Sequence, residues 1–320
     1  MMNKEYRMPK NNTASANLSR RQFIQATALA TVGISLPGFA REPKHPLIDN
    51  LGLQLYTVRE PLMARPQQTV EAIQAAGYRQ VELFDTQLLP KLHAVFKGLG
   101  IAINSSHVLP PLITGNWNPL VATGVRQPPA DYTLEYAVEQ AAGFGLTELV
   151  FPYLFPEDRG GMDVYKVLAE KLSRAGEVCQ RSGIQLSYHN HAFEFQSMED
   201  TSPFELLVKG TDAALMTLEV DVFWVSVAGL DPAKFIRDHG GRVRMLHLKD
   251  KKDGLSTTFL DSSLPPDAFQ PVGSGVLDFP DMLRAAEAVG VKHAFVEQDQ
   301  SPNALAAIEE SSAYLKGLSD

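Results

Sequence analysis

The amino-acid sequence predicts an α/β protein that folds as a single-domain (β/α)8 TIM barrel. Strand-like and helix-like stretches alternate from residue 41 onward, and eight of them are strand-like. These lie near 51–56, 79–84, 101–106, 148–152, 184–190, 215–221, 243–248 and 294–298. Most are short and rich in leucine or β-branched residues, as strands buried on both faces of a parallel sheet are. A doubly wound open sheet is the main alternative, but no glycine-rich nucleotide loop follows the first strand.

Amphipathic stretches with helix-capping residues fill the gaps between the strands. Two of them stop at a glycine, the residue that accepts the left-handed backbone at the end of a helix. Another begins at Asp231-Pro232, with aspartate as the N-cap and proline in the first turn. The predicted helices cover 69–77, 163–182, 279–290 and 302–318, together with the one that begins at 231. Two long connections, 108–130 and 251–274, are expected over the mouth of the barrel, either shaping a substrate pocket or as solvated loops.

The first 40 residues are predicted to be a twin-arginine signal peptide, which leaves residues 41–320 as the barrel domain. The segment 19–25 (SRRQFIQ) resembles the twin-arginine export motif, and a weakly apolar stretch follows it. Gly38 and Ala40 then supply small residues at the −3 and −1 positions of a cleavage site. The alternative is a disordered basic tail followed by a helix. We therefore expect the twin-arginine export machinery as a partner and a periplasmic or otherwise exported location.

Charge and hydropathy disfavour two classes of partner. The chain has a net charge of −8, to which residues 1–40 contribute +4, so residues 41–320 carry −12. Such an acidic body without a basic stripe disfavours nucleic acid. No apolar run reaches the roughly 18 residues of a membrane span. No cysteine directly follows the signal segment, and the only cysteine, Cys179, is expected to be buried on an apolar helix face, so no stable membrane anchor is expected.

Four predicted strands end in residues that bind metals well, namely His189, Asp221, His247 and Glu297. Because the carboxyl ends of parallel strands converge on one face of a barrel, we expect these side chains to meet in one site. Two imidazoles and two carboxylates would form a mixed nitrogen and oxygen site for a divalent cation. Without a metal, a cationic partner or exposure, the carboxylate of Asp221 would be costly to bury after its apolar strand.

Two further residues are candidates for catalysis beside this site. His191 shares a strand face with His189, so that one of the pair can bind metal and the other substrate. Lys249 shares a face with His247 and is expected to face substrate, and pairing with the adjacent Asp250 is the alternative. Serine-based catalysis has little support, because the sequence contains no Gly-x-Ser-x-Gly elbow.

Three more polar residues are candidates for substrate binding. Glu82 and His107 lie at or near the ends of the second and third strands, where they would contact sugar hydroxyls or join a structural polar network. Glu194 lies in the loop after the fifth strand. It would orient a histidine, bind the metal itself or be solvated, and the sequence leaves these three alternatives open.

Five segments of the chain resemble the sugar phosphate isomerase/epimerase family of xylose isomerase-like TIM barrels. They are LGLQLYTVR (51–59), YHNH (188–191), HLKD (247–250), VGSGVLDF (272–279) and VEQD (296–299). The resemblance covers roughly residues 48–318. It implies one divalent metal ion, manganese first and cobalt, magnesium or zinc as alternatives. It also implies a small-molecule carbohydrate substrate, and it leaves a homo-oligomer open. The metal ligands that it implies are His189, Asp221, His247 and Glu297.

His189 departs from the family pattern, because many relatives have glutamate at this position. In the epimerases two glutamates shuttle protons on opposite faces of the substrate, so the departure favours a one-base reaction. Glu297 would remove a proton next to a carbonyl while the metal stabilises the enediolate. The result would be a metal-dependent isomerase or lyase acting on a sugar or keto-sugar, such as a 3-keto-glycoside. A two-base sugar epimerase and a non-catalytic periplasmic sugar-binding barrel are the alternatives.

Overall fold

Eight parallel strands close into a barrel, which confirms the predicted fold class. The computed structural model describes residues 45–318, so the predicted signal peptide lies outside the described residues. Each barrel strand pairs with the next barrel strand along the chain, and β10 closes the ring against β1. The barrel strands are β1 (Gly52–Gln54), β2 (Gln80–Leu83), β3 (Ala102–His107), β4 (Glu148–Phe151), β5 (Gln185–His189), β6 (Met216–Asp221), β7 (Val243–Leu248) and β10 (His293–Val296). A separate antiparallel hairpin is formed by β8 (Asp250–Lys251) and β9 (Phe269–Gln270).

The predicted capping residues lie at the helix ends, although the helix predicted from residue 69 begins at Pro66 and the one predicted from residue 302 begins at Ala304. Gly77 and Gly290 follow their helices with φ angles of 89° and 77°, left-handed values that glycine accepts without strain. The Asp231 side chain accepts a hydrogen bond of 3.0 Å from the backbone N–H of Lys234 and so caps the next helix. The helices are Pro46–Asp49, Arg59–Ala64, Pro66–Ala76, Leu89–Gly98, Pro111–Thr114, Asn118–Ala122, Leu134–Gly143, Met162–Arg181, Pro203–Lys209, Val222–Val227, Pro232–Asp238, Phe279–Val289 and Ala304–Gly317.

The first strand and the long connections differ from the prediction in detail. The strand ends early, at Gln54, because the Gln54 side chain accepts a hydrogen bond from the backbone N–H of Tyr56 and starts a 3₁₀ turn. Connection 108–130 forms two short helices, and the first of these packs against helix Met162–Arg181. Connection 251–274 contains most of the β8–β9 hairpin, which lies close to the predicted site residues.

The strand register places predicted site residues side by side. In the pairing of β6 with β7, Asp221 stands opposite His247, and in the pairing of β5 with β6, His189 stands opposite Glu219. The β6–β7 register shifts between Leu218 and Glu219. Irregularities of this kind often re-aim side chains next to functional sites.

Helix Met162–Arg181 buries an apolar side that includes Cys179, as expected. Burial raises the pKa of the Cys179 thiol to about 12, so the thiol is protonated and unreactive at neutral pH. Within residues 45–318, none of the helices combines the length and the apolar character that crossing a membrane requires.

Helix Met162–Arg181 packs so closely on its neighbours that one added methyl group is expected to lower stability strongly. A Cβ atom at Gly176 would lie 2.4 Å from the backbone oxygen of Leu215. We expect Gly176→Ala to lower the free energy of unfolding by about 1–3 kcal/mol, because neither backbone can move freely. Gly143→Ala is the matched control, since a Cβ there meets nothing within 4 Å. It should be neutral or stabilising by up to about 1 kcal/mol. Urea denaturation measures both, and equal midpoints for the two variants would contradict the packing.

A half-buried histidine at the opposite end of the barrel predicts acid sensitivity. Nδ1 of His293 lies 2.8 Å from Oε1 of Gln80. Burial and the nearby Arg244 lower the pKa of His293 from 6.5 to about 4. As the pH falls through this window, the unfolded chain takes up the proton first, so stability is lost between about pH 6.5 and 4. We expect His293→Gln to lose roughly 1 kcal/mol less stability than the wild type between pH 7 and 5. Urea denaturation at both pH values checks this, and parallel losses would exclude His293 as the cause.

Candidate metal site at the barrel mouth

The four predicted metal ligands lie together at the carboxyl ends of β5, β6, β7 and β10. Each offers one donor atom, and these atoms lie within 4.8 Å of one another. All four side chains are buried, with at most 5% of any of these residues exposed. The residues are His189, Asp221, His247 and Glu297.

The spacing of the donor atoms fits a divalent cation. Nε2 of His189 lies 3.2 Å from Oδ2 of Asp221, and Nδ1 of His247 lies 2.8 Å from Oε2 of Glu297. Ligands bound at about 2.1 Å around one ion lie about 3–3.5 Å apart. Among residues 45–318, Nδ1 of His247 has no well-aligned hydrogen bond although it is so close to Glu297. The 3.2 Å separation falls in the range for two ligands of one ion, the 2.8 Å separation is that of an ion pair, and a mixed imidazole and carboxylate set suits a divalent metal.

Hydrogen bonds from outside the cluster fix which atom each ligand presents. Nδ1 of His189 lies 3.1 Å from the carbonyl oxygen of Pro152 and donates to it, which leaves the Nε2 lone pair free. Nε2 of His247 faces Glu82 at 2.7 Å, which leaves Nδ1 toward the cluster. Oδ1 of Asp221 accepts backbone hydrogen bonds at the start of helix Val222–Val227, so Oδ2 faces the other donors.

Lys249 contributes a buried positive charge to the same cluster. Its Nζ lies 2.8 Å from Oδ2 of Asp221, 2.8 Å from Oε2 of Glu297 and 2.7 Å from Oδ1 of Asp299. Burial disfavours the ammonium, but the three carboxylates outweigh burial and hold the pKa of Lys249 well above its ordinary value. Burial likewise opposes ionisation of Glu297, yet Lys249 and His247 lower its pKa. Both groups are therefore charged at neutral pH.

His191 lies at the edge of the site and is neutral. Its ring centroid lies 4.7 Å from that of Tyr153 and 5.0 Å from that of Trp224. Burial of the ring and the nearby His189 and Lys249 keep the pKa of His191 well below its ordinary value. Its Nδ1 has no hydrogen-bond partner among residues 45–318. A neutral imidazole with an open nitrogen can accept a hydrogen bond or a proton from a bound molecule.

The structure places Glu194 behind the site, where it holds the loop that carries His191. Oε1 of Glu194 accepts a hydrogen bond of 2.7 Å from the Tyr188 hydroxyl, and Oε2 accepts one of 2.8 Å from the backbone N–H of His191. The carboxylate is fully buried and burial raises its pKa to about 8. Of the three alternatives for Glu194, these contacts correspond to orienting a histidine.

Glu82 and His107 point into the barrel below the four donors. Oε1 of Glu82 lies 3.0 Å from Nε2 of His107 and 2.7 Å from Nε2 of His247. Glu82 is fully buried, and 8% of His107 is exposed. The two residues thus join a polar network within the barrel, and that network touches the metal site through His247.

Two members of this network are absent from the sequence-based predictions. Gln54 donates a hydrogen bond of 2.7 Å to Glu82, and Glu219 lies 3.2 Å from His247. Glu219 could have been found, because it precedes Asp221 by two residues and such residues share a strand face. Gln54 carries no comparable signal, because its role depends on β1 standing next to β2 in the closed ring.

Aromatic rings and the β8–β9 hairpin cover the site. Phe269 of β9 stacks on Phe223 with centroids 4.4 Å apart and lies 5.8 Å from Trp224. The Lys249 ammonium lies 5.9 Å from the ring centroids of both Trp224 and Phe269. The four predicted ligands beneath are almost fully buried, so we expect substrate entry to require movement of these rings or of the hairpin.

The chain resembles a curated enzyme over part of its length. Inosose dehydratase of Geobacillus thermodenitrificans is 26% identical over 145 residues, which cover 43% of this chain and 48% of that protein. The chain therefore spans about half the length of the curated relatives that it matches.

Solved structures share the fold over most of the chain. A sugar phosphate isomerase/epimerase from Parabacteroides distasonis superposes with a TM-score of 0.65 and 23% identity, covering 82% of this chain and 92% of that chain. The IolI protein with a bound zinc atom superposes with a TM-score of 0.61 and 16% identity, covering 84% and 97%. Residues 70–318 match the Xylose isomerase-like TIM barrel family, and the chain belongs to that family.

Proposed function

We propose that the protein is a divalent-metal-dependent isomerase or lyase that acts on a sugar or keto-sugar. The observation that carries this proposal is the convergence of four metal-binding donors with the ammonium of Lys249 around one carboxylate, Glu297. When bound, the ion would supply Lewis-acid polarisation of a substrate carbonyl, which makes the hydrogen on the adjacent carbon acidic. Manganese is the proposed ion, with cobalt, magnesium or zinc as alternatives.

Glu297 is the proposed base. Its Oε2 faces His247 and Lys249, so Oε1 is the oxygen left for a substrate proton. Lys249 holds this carboxylate ionised and places a positive charge where negative charge would develop on the substrate. His189 supplies an imidazole at the position where many relatives have a second glutamate. Glu297 is therefore the one carboxylate base, and it serves one face of the substrate.

His191 is the proposed second proton-transfer group. Its open Nδ1 and neutral ring suit it to accept a substrate hydroxyl hydrogen bond. In an isomerisation, the proton taken by Glu297 returns to the neighbouring carbon, and the hydroxyl proton moves between the two oxygens through His191. In a β-elimination, the electrons of the broken carbon–hydrogen bond form the double bond, the leaving oxygen takes a proton from water, and Glu297 then releases its proton to solvent. Relatives named inosose dehydratase support the elimination.

Proton exchange tests the proposal directly. Metal-loaded and chelator-treated protein would be incubated in deuterated water with inososes, ketoses and 3-keto-glycosides, and deuterium uptake and products followed by NMR. We expect exchange and product with metal only. Activity that survives complete metal removal would overturn the proposal. Binding with neither exchange nor product would support the non-catalytic sugar-binding barrel, and inversion at the exchanging carbon would support the two-base epimerase. Signal-directed export to the periplasm remains part of the proposal.

A further inference from the structure

The barrel interior holds a second group of ionisable side chains beneath the metal site. One donor atom from each of its four members lies within 4.8 Å of the others, and all four residues are buried. Only His247 belongs to both groups, through Nδ1 above and Nε2 below. The members of this inner cluster are Glu82, His107, Glu219 and His247.

Glu219 is the member of the inner cluster without a well-aligned hydrogen bond. It is fully buried, and neither of its carboxylate oxygens has a hydrogen-bond partner among residues 45–318. Its Oε2 lies 3.2 Å from Nε2 of His247 and 3.7 Å from Nε2 of His107. A buried carboxylate without hydrogen bonds is costly, so a positive charge beside it would be stabilising.

The neighbouring donors are already taken by Glu82. This carboxylate accepts hydrogen bonds from Nε2 of Gln54 at 2.7 Å and from the hydroxyl of Ser105. Nε2 of His247 lies closer to Glu82, at 2.7 Å, than to Glu219. A single N–H hydrogen cannot serve both carboxylates well, and Glu219 is the one left without it.

Gln54 also sets the orientation of His107. Its Oε1 accepts a hydrogen bond of 2.9 Å from the backbone N–H of Tyr56, which turns its NH₂ group toward the cluster. That NH₂ nitrogen lies 3.0 Å from Nε2 of His107. Because an amide NH₂ only donates, neutral His107 accepts this hydrogen bond through the lone pair of Nε2, and the same lone pair would pass to an ion while Gln54 keeps its hydrogen bond to Glu82.

We propose that the inner cluster is a second divalent-cation site, with Glu82, His107 and Glu219 as its own ligands and His247 shared with the outer ion. Two carboxylates balance one divalent charge, and neutral His107 adds a nitrogen ligand. The proton on Nε2 of His247 would leave to solvent when the inner ion binds, so the ring would bridge the two ions as an imidazolate, with its negative charge shared between them. The mixed nitrogen and oxygen set suits zinc or manganese better than calcium.

A proton is the competing occupant of the inner cluster. Burial disfavours the imidazolium of His107, but Glu82 and Glu219 outweigh burial and raise its pKa to about 9. In that state His107 would neutralise the carboxylates and no second ion would bind. A second ion and a proton in the inner cluster predict different numbers of metal ions bound per chain. This number can be measured whatever reaction the enzyme performs.

Metal stoichiometry of the whole chain tests this inference. Chelator-stripped protein would be titrated with Zn²⁺ by calorimetry and, after dialysis, its zinc content measured by mass spectrometry. We expect two ions per wild-type chain and one per Glu219→Gln chain. The Glu219→Gln substitution removes the charge and keeps the side-chain volume. His107→Asn should also bind one ion, which guards against misfolding of the first variant. Glu148→Gln, which changes another buried carboxylate outside both clusters, should bind two.

The result that would overturn the inner site is one ion per wild-type chain, or the same count in wild type and Glu219→Gln. Asp221→Asn separates this outcome from failure of the outer site. It removes an outer ligand only, so it should retain one ion, and that ion should disappear when Glu219→Gln is added. Loss of both ions in Asp221→Asn would contradict an inner site that binds independently.

Discussion

Replacement of Glu297 by glutamine should abolish turnover while leaving the barrel folded. Glutamine keeps the shape of the side chain but cannot accept the substrate proton, so we expect kcat/KM to fall by about 10³-fold or more. Glu297 is also a proposed metal ligand, and the assay therefore uses saturating metal, so that weaker ion binding does not account for the loss. Deuterium exchange into the substrate should fall in parallel with product formation.

The matched control is Glu148→Gln. Glu148 is a fully buried carboxylate at the start of β4, 2.7 Å from Nη2 of Arg244 and outside the site. We expect this variant to retain turnover, which would show that loss of a buried charge does not by itself inactivate the barrel. Thermal melts of both variants confirm folding. Near-normal turnover in Glu297→Gln would exclude Glu297 as the essential base.

Replacement of Lys249 by methionine should destabilise the metal-free protein by about 3–5 kcal/mol, because it leaves several buried carboxylates without their cationic partner. Nζ of Lys249 lies within 2.8 Å of Asp221, Glu297 and Asp299 in one cluster. Added Mn²⁺ should then stabilise the variant more than the wild type. In the variant the ion takes over the neutralisation of the carboxylates, whereas in the wild type it shares them with the ammonium.

Urea denaturation with and without saturating Mn²⁺ measures this difference. Lys252→Met is the control, because Lys252 lies in the same segment but is exposed and paired with Asp267 on the surface. Its stability and its response to Mn²⁺ should match those of the wild type. Equal stabilisation by Mn²⁺ in Lys249→Met and wild type would show that the ammonium and the ion do not share their carboxylate partners.

The positions of the outer ligands could be predicted because they depend on one local property, the residue at which an apolar strand ends. The convergence of His189 and Glu297, more than 100 residues apart, follows from parallel topology alone. The inner cluster could not be predicted in the same way, because it depends on which inward residues lie at the same height in the closed ring. That height is set by strand register, including the shift between Leu218 and Glu219.

The choice between adjacent partners also depended on the tertiary structure. The sequence left Lys249 to pair with Asp250 or to face the site. In the structure, Asp250 accepts hydrogen bonds of 2.9 Å from the backbone N–H groups of Gly273 and Gly275. Lys249 points the other way, into the acidic cluster, because successive residues of an extended chain face opposite sides. The N–H donors that bind Asp250 come from a connection more than 20 residues further along the chain, which the residues beside Lys249 do not reveal.

The cover over the barrel mouth bears on how long a bound ion would stay. The outer donors are no more than 5% exposed, and Phe269 with its aromatic partners lies over them. An ion enclosed there would exchange with solvent only when these rings or the hairpin move aside. Its residence time is then set by the rate of opening rather than by equilibrium affinity alone. A metal acquired during folding would therefore persist in a compartment where zinc or copper binds such ligands more strongly at equilibrium.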